Sequence, residues 1–149
     1  MSDGHQFEIS QITDLIFIGS DLCRGMVCPI HGPEFESLGI CGEVNLEVEH
    51  PETPPPQLDA YLWLPVEDKQ APRPDQLIVG TSFIHEMVKL NNKVYVHCKN
   101  GHGRSPTLVI AYLMKYDNKT LDQALELVRQ KRPEVHLEET QLQALKAWK

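Results

Sequence analysis

Apolar positions fall in two patterns along this chain, with short β-rich runs early and long stretches of helical spacing late. Leu15-Ile16-Phe17-Ile18 is a compact run stopped by Gly19-Ser20, and Gly42-Glu43-Val44-Asn45-Leu46 is a second, preceded by the turn residues Leu38-Gly39. Ala60-Tyr61-Leu62-Trp63-Leu64-Pro65-Val66 is a third, and Lys93-Val94-Tyr95-Val96-His97-Cys98 is a fourth that runs straight into a glycine-rich stretch. These four runs predict strands, enough for a small sheet. Pro74-Asp75 opens a helical pattern through Leu77, Phe83, Ile84, Met87 and Val88, proline suiting the first helical position and the acid suiting the helix dipole. That helix makes a crossover between the third and fourth strands.

Between Ser105 and Tyr116 the residues Leu108 to Met114 leave almost no polar face, so this helix is expected to be surrounded by protein. Thr120 and Gln123 have the form of a capping box ahead of Leu121, Ala124, Leu125 and Val128, and Pro133 ends that helix. Glu139 to Trp148 reads as an amphipathic helix carrying Leu142, Leu145 and Trp148. Pro51-Glu52-Thr53-Pro54-Pro55-Pro56 is expected to be an exposed, stiff connection and not a domain boundary, and no internal repeat interrupts the pattern.

A length of 149 residues fits one domain spanning 1–149. The chain has no apolar run near the ~20 residues of a membrane span, so no stable membrane insertion is expected. With 14 Lys+Arg against 21 Asp+Glu the net charge is −7, which argues against nucleic acid as a partner. An anionic substrate must then be held by a local positive pocket. Met1 to Gln6 lacks the basic and apolar regions of a secretory signal, and a cytoplasmic location is expected. Cys23, Cys28, Cys41 and Cys98 are irregularly spaced in a chain long enough to fold without staples. Cys23-x4-Cys28 with His31 fits no standard zinc pair, so structural or idle thiols are the expectation for the first three cysteines and no metal is assigned.

The chemistry concentrates in His97-Cys98-Lys99-Asn100-Gly101-His102-Gly103-Arg104-Ser105, between a buried strand and a buried helix. Gly101 and Gly103 allow the backbone to turn successive N–H groups inward, and the helix beginning near Arg104 adds its positive end at the same point. Lys99, Asn100, Gly101, His102, Gly103 and Arg104 thus form a candidate phosphate cradle, with Arg104 able to fork two N–H bonds onto two oxygens. Cys98 lies at its base, where the same donors stabilise a thiolate, so its pKa is expected to fall. In-line attack by that sulfur on phosphorus would give a phosphocysteine, and the Ser105 hydroxyl would ease the departure of sulfur in the second step. His97 is expected to be a buried imidazole that bonds backbone and shapes the loop.

The leaving oxygen needs a proton from the opposite side of phosphorus. The strand ending Leu64-Pro65-Val66 delivers Glu67 and Asp68 into a proline-stiffened loop, at the same sheet end as the cradle if the strands are parallel. Asp68 is the candidate general acid and Glu67 the alternative.

These residues resemble the cysteine-dependent protein tyrosine phosphatases, and within them the small dual-specificity branch. His97, Cys98, Gly101, Gly103, Arg104 and Ser105 carry the signature, and Leu15 to Ser20, Gly39 to Leu46, Leu64-Pro65-Val66 with Asp68, and Ser105 to Met114 extend the likeness over almost the whole chain. The resemblance implies an α/β fold, a central mostly parallel four- to five-stranded sheet flanked by helices, with no metal or cofactor. It implies a phosphomonoester hydrolase acting on phosphotyrosine and on phosphoserine or phosphothreonine proteins. Two departures stand out: Asn100 where many members carry alanine, and a C-terminal pattern of which only Gln141-Leu142 survive. Lys99 and His102 resemble the extra charge of phosphatases acting on inositol lipids, so a phosphoinositide phosphatase is one alternative. A non-catalytic phosphobinding module is another, and a sulfur- or arsenate-handling protein a third.

Overall fold

The computed structural model describes residues 9–20, 36–49, 54 and 58–148. Cys23, Cys28, His31 and most of the proline-rich connection lie outside them. The sheet has five strands, β1 (Ile9–Gln11), β2 (Ile16–Gly19), β3 (Ile40–Glu47), β4 (Ala60–Val66) and β5 (Lys93–His97), in the order β1-β2-β5-β3-β4. All pairings are parallel except β1 with β2. The predicted strands are thus β2 to β5. The fifth, β1, is a three-residue antiparallel edge too short to register as a pattern.

β5 lies between β2 and β3 and buries Val94, Tyr95, Val96 and His97, as a parallel strand covered on both faces must. One face carries the main core, in which Ile16, Ile18, Val44, Leu46, Val94 and Val96 meet the helices. Phe17, Ile40 and Tyr95 form a smaller cluster with Ile9, Leu38 and Leu58. β3 alternates Glu43, Asn45 and Glu47 with Val44 and Leu46, a pattern that normally marks a strand with one wet face. Here all three polar residues are buried, at 3%, 0% and 0% exposure. Asn45 donates to the Tyr61 hydroxyl at 3.0 Å and accepts from the Glu47 amide at 2.8 Å, while Trp63 Nε1 donates to the Glu47 carbonyl at 2.8 Å.

The helices that lie wholly within the described residues are α1 (Pro74–Lys89), α2 (Arg104–Tyr116), α3 (Leu121–Lys131) and α4 (Glu139–Ala147). α1 starts at the predicted proline, and Gln76 closes its first turn by accepting from the Arg73 amide at 2.9 Å. α2 buries every residue from Arg104 to Leu113, as its lack of a polar face demands. α3 begins on the expected box, with Gln123 N donating to Thr120 Oγ1 at 3.1 Å and Gln123 Oε1 accepting from the Thr120 amide at 2.9 Å. α4 is pinned at its end by Trp148, whose Nε1 donates to Ala111 O at 2.9 Å. Among the described residues no helix is long and apolar enough to cross a membrane.

Thr120 supplies the N-cap bond of a helix that buries only Ala124 and Val128 fully, so its hydroxyl matters to α3. Thr120→Ala should lower unfolding stability by about 1 kcal/mol in a denaturant titration. An unchanged midpoint would contradict that role.

Candidate active site

The turn after β5 lies at the carboxyl ends of the parallel strands, where the helix that follows points its N-terminus back at the sheet. Residues 98–103 make this turn, and the structure brings together every residue that the sequence assigns to the cradle. Cys98 sits at its floor, 2% exposed. Lys99, Asn100 and His102 carry exposed side chains on its rim. Gly101 adopts φ +72, and a Cβ there would come within 2.6 Å of Gly19 O and 2.8 Å of an Arg132 nitrogen, so both backbone and space require glycine. Gly103 lies against the buried Gln141, whose Oε1 would be 2.9 Å from an added Cβ.

Ser105 Oγ lies 3.3 Å from Cys98 Sγ. Burial pushes the Cys98 thiol up, but the Ser105 hydroxyl and amide, the Arg104 guanidinium and the Gly101 amide outweigh it and hold the thiol below its ordinary value. The sulfur is thus buried and electrostatically held at once.

Arg104 is 2% exposed and braced from two strand ends. Its Nη1 donates to Glu49 Oε1 at 2.6 Å and to Val66 O at 2.8 Å, and its Nη2 donates to Glu49 Oε2 at 3.0 Å. Burial works against its charge, and Glu49, the Cys98 sulfur and Asp68 together hold it above its ordinary value. Those bonds use three of the five guanidinium N–H donors, which leaves Nε–H and one Nη2–H for further acceptors.

Asp68 follows β4 in a turn closed by Gln70 N donating to Glu67 O at 3.0 Å. Its Oδ1 stands 3.7 Å from Arg104 Nη2 while the carboxylate remains 65% exposed, so it faces the mouth of the cradle from the neighbouring loop. Glu67 is exposed, and its carbonyl closes the turn by accepting from the Gln70 amide. A cavity of about 180 Å³ opens between Asp68, Lys69, His102, Gly103, His136 and Gln141.

His97 is buried as expected. Its Nε2 meets Glu43 Oε2 at 2.7 Å, with both side chains buried, so a carboxylate on β3 helps to orient the ring. The ring also stacks on Tyr95 at 5.3 Å, and the Tyr95 hydroxyl donates to Ser20 O.

Three functional neighbours escaped sequence reasoning. Glu49 braces Arg104 across 55 residues of chain. Arg132, 2% exposed, grips the back of the cradle: Nε donates to Gly101 O at 2.9 Å, Nη2 to Asn100 O at 2.9 Å and Nη1 to Ser10 Oγ at 3.0 Å. Gln76 Nε2 donates to Pro65 O at 3.0 Å and fixes the end of β4 just before the acid turn. The alternation Glu43, Asn45, Glu47, Glu49 in a run otherwise bound for the core was the one available signal for the first of these.

Residues 30–149 match the family model of the dual specificity phosphatase catalytic domain, and the chain belongs to that family. It is 34% identical over 123 residues to the phosphatidylglycerophosphate phosphatase PTPMT1 of Arabidopsis thaliana, covering 78% of this chain and 36% of that protein. It is 34% identical over 134 residues to dual specificity protein phosphatase 14 of Bos taurus, covering 89% of this chain and 65% of the relative. It therefore spans between about a third and two thirds of the length of these curated relatives. A solved mouse putative dual specificity phosphatase, complexed with zinc tungstate, shares the fold with a TM-score of 0.84 at 24% identity, covering 99% of this chain and 90% of that one.

Two outcomes follow from this geometry. Arg132→Met should lower stability by about 2–4 kcal/mol, because it strips charged donors from two cradle carbonyls, and unchanged thermal unfolding would contradict the bracing role. Ser105→Ala should move the Cys98 thiol back up. Since the thiolate populates only above its pKa, alkylation of Cys98 by iodoacetamide at neutral pH should slow several-fold, and an unaltered rate would contradict the assignment.

Proposed function

We propose that this chain hydrolyses phosphate monoesters through a phosphocysteine on Cys98, acting on phosphotyrosine and on phosphoserine or phosphothreonine in proteins. The observation that supports this most is the meeting of three groups: a buried sulfur with a lowered pKa, a guanidinium braced so that one edge is left for an anion, and a carboxylate 3.7 Å from that guanidinium. The phosphate sits in the cradle with two oxygens on Nε–H and Nη2–H of Arg104 and the others on loop amides. Cys98 sulfur attacks phosphorus, an S–P bond forms, and the ester P–O bond breaks as Asp68 delivers its proton to the leaving oxygen. Asp68, now a carboxylate, takes a proton from water, whose oxygen attacks phosphorus. The S–P bond then breaks and the thiolate returns to its Ser105 and Arg104 partners.

Asp68 is favoured over Glu67 because it alone of the pair stands against Arg104. A binding module would need the phosphate cradle but not an acid poised at its mouth, and the position of Asp68 weighs against that alternative. A second reading places the monoester on a lipid headgroup. It is favoured by the likeness to a phosphatidylglycerophosphate phosphatase and by the exposed Lys99 and His102 on the rim.

Cys98→Ser should abolish turnover of an aryl phosphate while phosphate binding persists. Asp68→Asn should reduce turnover by about 10²–10⁴ on poor leaving groups and by far less on a leaving group that departs without a proton. Equal inactivity of wild type and Cys98→Ser with retained phosphopeptide binding would replace the enzyme by a binding module. Comparing phosphotyrosine peptide, phosphothreonine peptide and phosphoinositide as substrates separates the protein reading from the lipid one.

A further inference from the structure

The turn that carries Asp68 is fastened on both sides by groups from other elements. Ahead of it, Pro65 O and Val66 O accept from Gln76 at 3.0 Å and from Arg104 at 2.8 Å. Behind it, Thr140 Oγ1 donates to Lys69 O at 2.6 Å and Gln141 Nε2 donates to Gln70 O at 3.1 Å. Between these fastenings Lys69 adopts φ 67, the left-handed region that a residue with a Cβ occupies only where its surroundings over-determine it.

Thr140 has no part in capping its own helix. Glu138 is the N-cap of α4, and Gln141 completes the box by accepting from the Glu138 amide at 2.8 Å. The Thr140 side chain is exposed, so its methyl fills no core, and its hydroxyl spends its donor 71 residues away on the carbonyl of the strained residue next to Asp68. A latch placed there acts on the carboxylate through the backbone. The Lys69 carbonyl lies in the peptide unit just after the one that joins Asp68 to Lys69, and holding it while Lys69 keeps its left-handed φ restrains the direction from which Asp68 overlooks the cradle.

We propose that Thr140 is a positioning residue: its hydroxyl latches the acid turn onto the first turn of α4 and keeps Asp68 at the mouth of the cradle before any substrate arrives. This rests on the hydrolase reading for its catalytic consequence but not for the latch itself. The ordering cost of the turn is met in folding, so proton delivery needs no closing motion. Thr140 touches no reacting atom, and its effect must therefore follow the demand for a proton.

Turnover of wild type, Thr140→Val and Thr140→Ser on aryl phosphates spanning poor to good leaving groups tests the idea. Valine keeps the shape and removes the donor. Thr140→Val should lose about 3- to 10-fold in kcat on the poorest leaving group, the loss expected for one hydrogen bond, and under 2-fold on the best, with KM unchanged. Thr140→Ser should restore wild-type behaviour. A loss of equal size across all leaving groups, or no loss on the poorest, would overturn the proposal. Hydrogen exchange at the Gln70 amide, which closes the acid turn on Glu67 O, gives a readout independent of turnover: it should quicken in Thr140→Val and recover in Thr140→Ser. An unchanged exchange rate would overturn the latch. If wild type hydrolyses no aryl phosphate, the hydrolase reading falls while exchange still decides the latch.

Discussion

Lowering the pKa of a sulfur that water can barely reach is the constraint around which this site is arranged. Burial alone favours the neutral thiol, so every donor at the floor of the turn has to act in the opposite sense and together they must win. Those donors are a hydroxyl and an amide at the start of α2, an amide from a left-handed glycine and one guanidinium. Each is delivered by a different local feature of the chain: a helix N-terminus, a φ that only glycine adopts cheaply, and a side chain braced from elsewhere. The same set suits a phosphate dianion.

Arg104 is where the parallel sheet meets the candidate site. The carboxyl ends of β3 and β4 supply Glu49 and Val66, both gripping the guanidinium, and the next residues after Val66 deliver Asp68 to its remaining side. A buried arginine without such partners would be costly, whereas this one is held charged and oriented. Behind the turn, Arg132 performs the complementary task on the Asn100 and Gly101 carbonyl groups, which points the amides of residues 101 and 102, each in the same peptide unit as one of those carbonyls, away from itself and toward the bowl. Two arginines therefore fix the loop from opposite sides, one through its anionic neighbours and one through its acceptors.

Much of this arrangement was legible in the chain. The run from His97 to Ser105 combines glycines, a cysteine and an arginine in an order that constrains both backbone and charge, and the proline of α1 and the Thr120 box mark their helices locally. What local pattern cannot reveal is a partner chosen by topology. Glu49 looks like the last polar residue of an alternating strand until β3 is placed beside β5, and Arg132 looks like the charged end of an amphipathic helix until α3 returns to the cradle. His97 illustrates the same limit. Its burial was expected, but Glu43 as its partner depends on strand order, and a buried carboxylate in an alternating strand contradicts the usual meaning of alternation. β1 has only three residues, too few for periodicity to register.

The anionic sulfur is best tested by following thiolate absorbance through a pH titration and subtracting the same titration of Cys98→Ser. The difference should isolate one group that ionises well below an ordinary cysteine. If Cys98 instead ionises where a free thiol does, or higher as burial alone would require, the donors at the floor of the turn do not hold charge and the mechanism built on them is wrong.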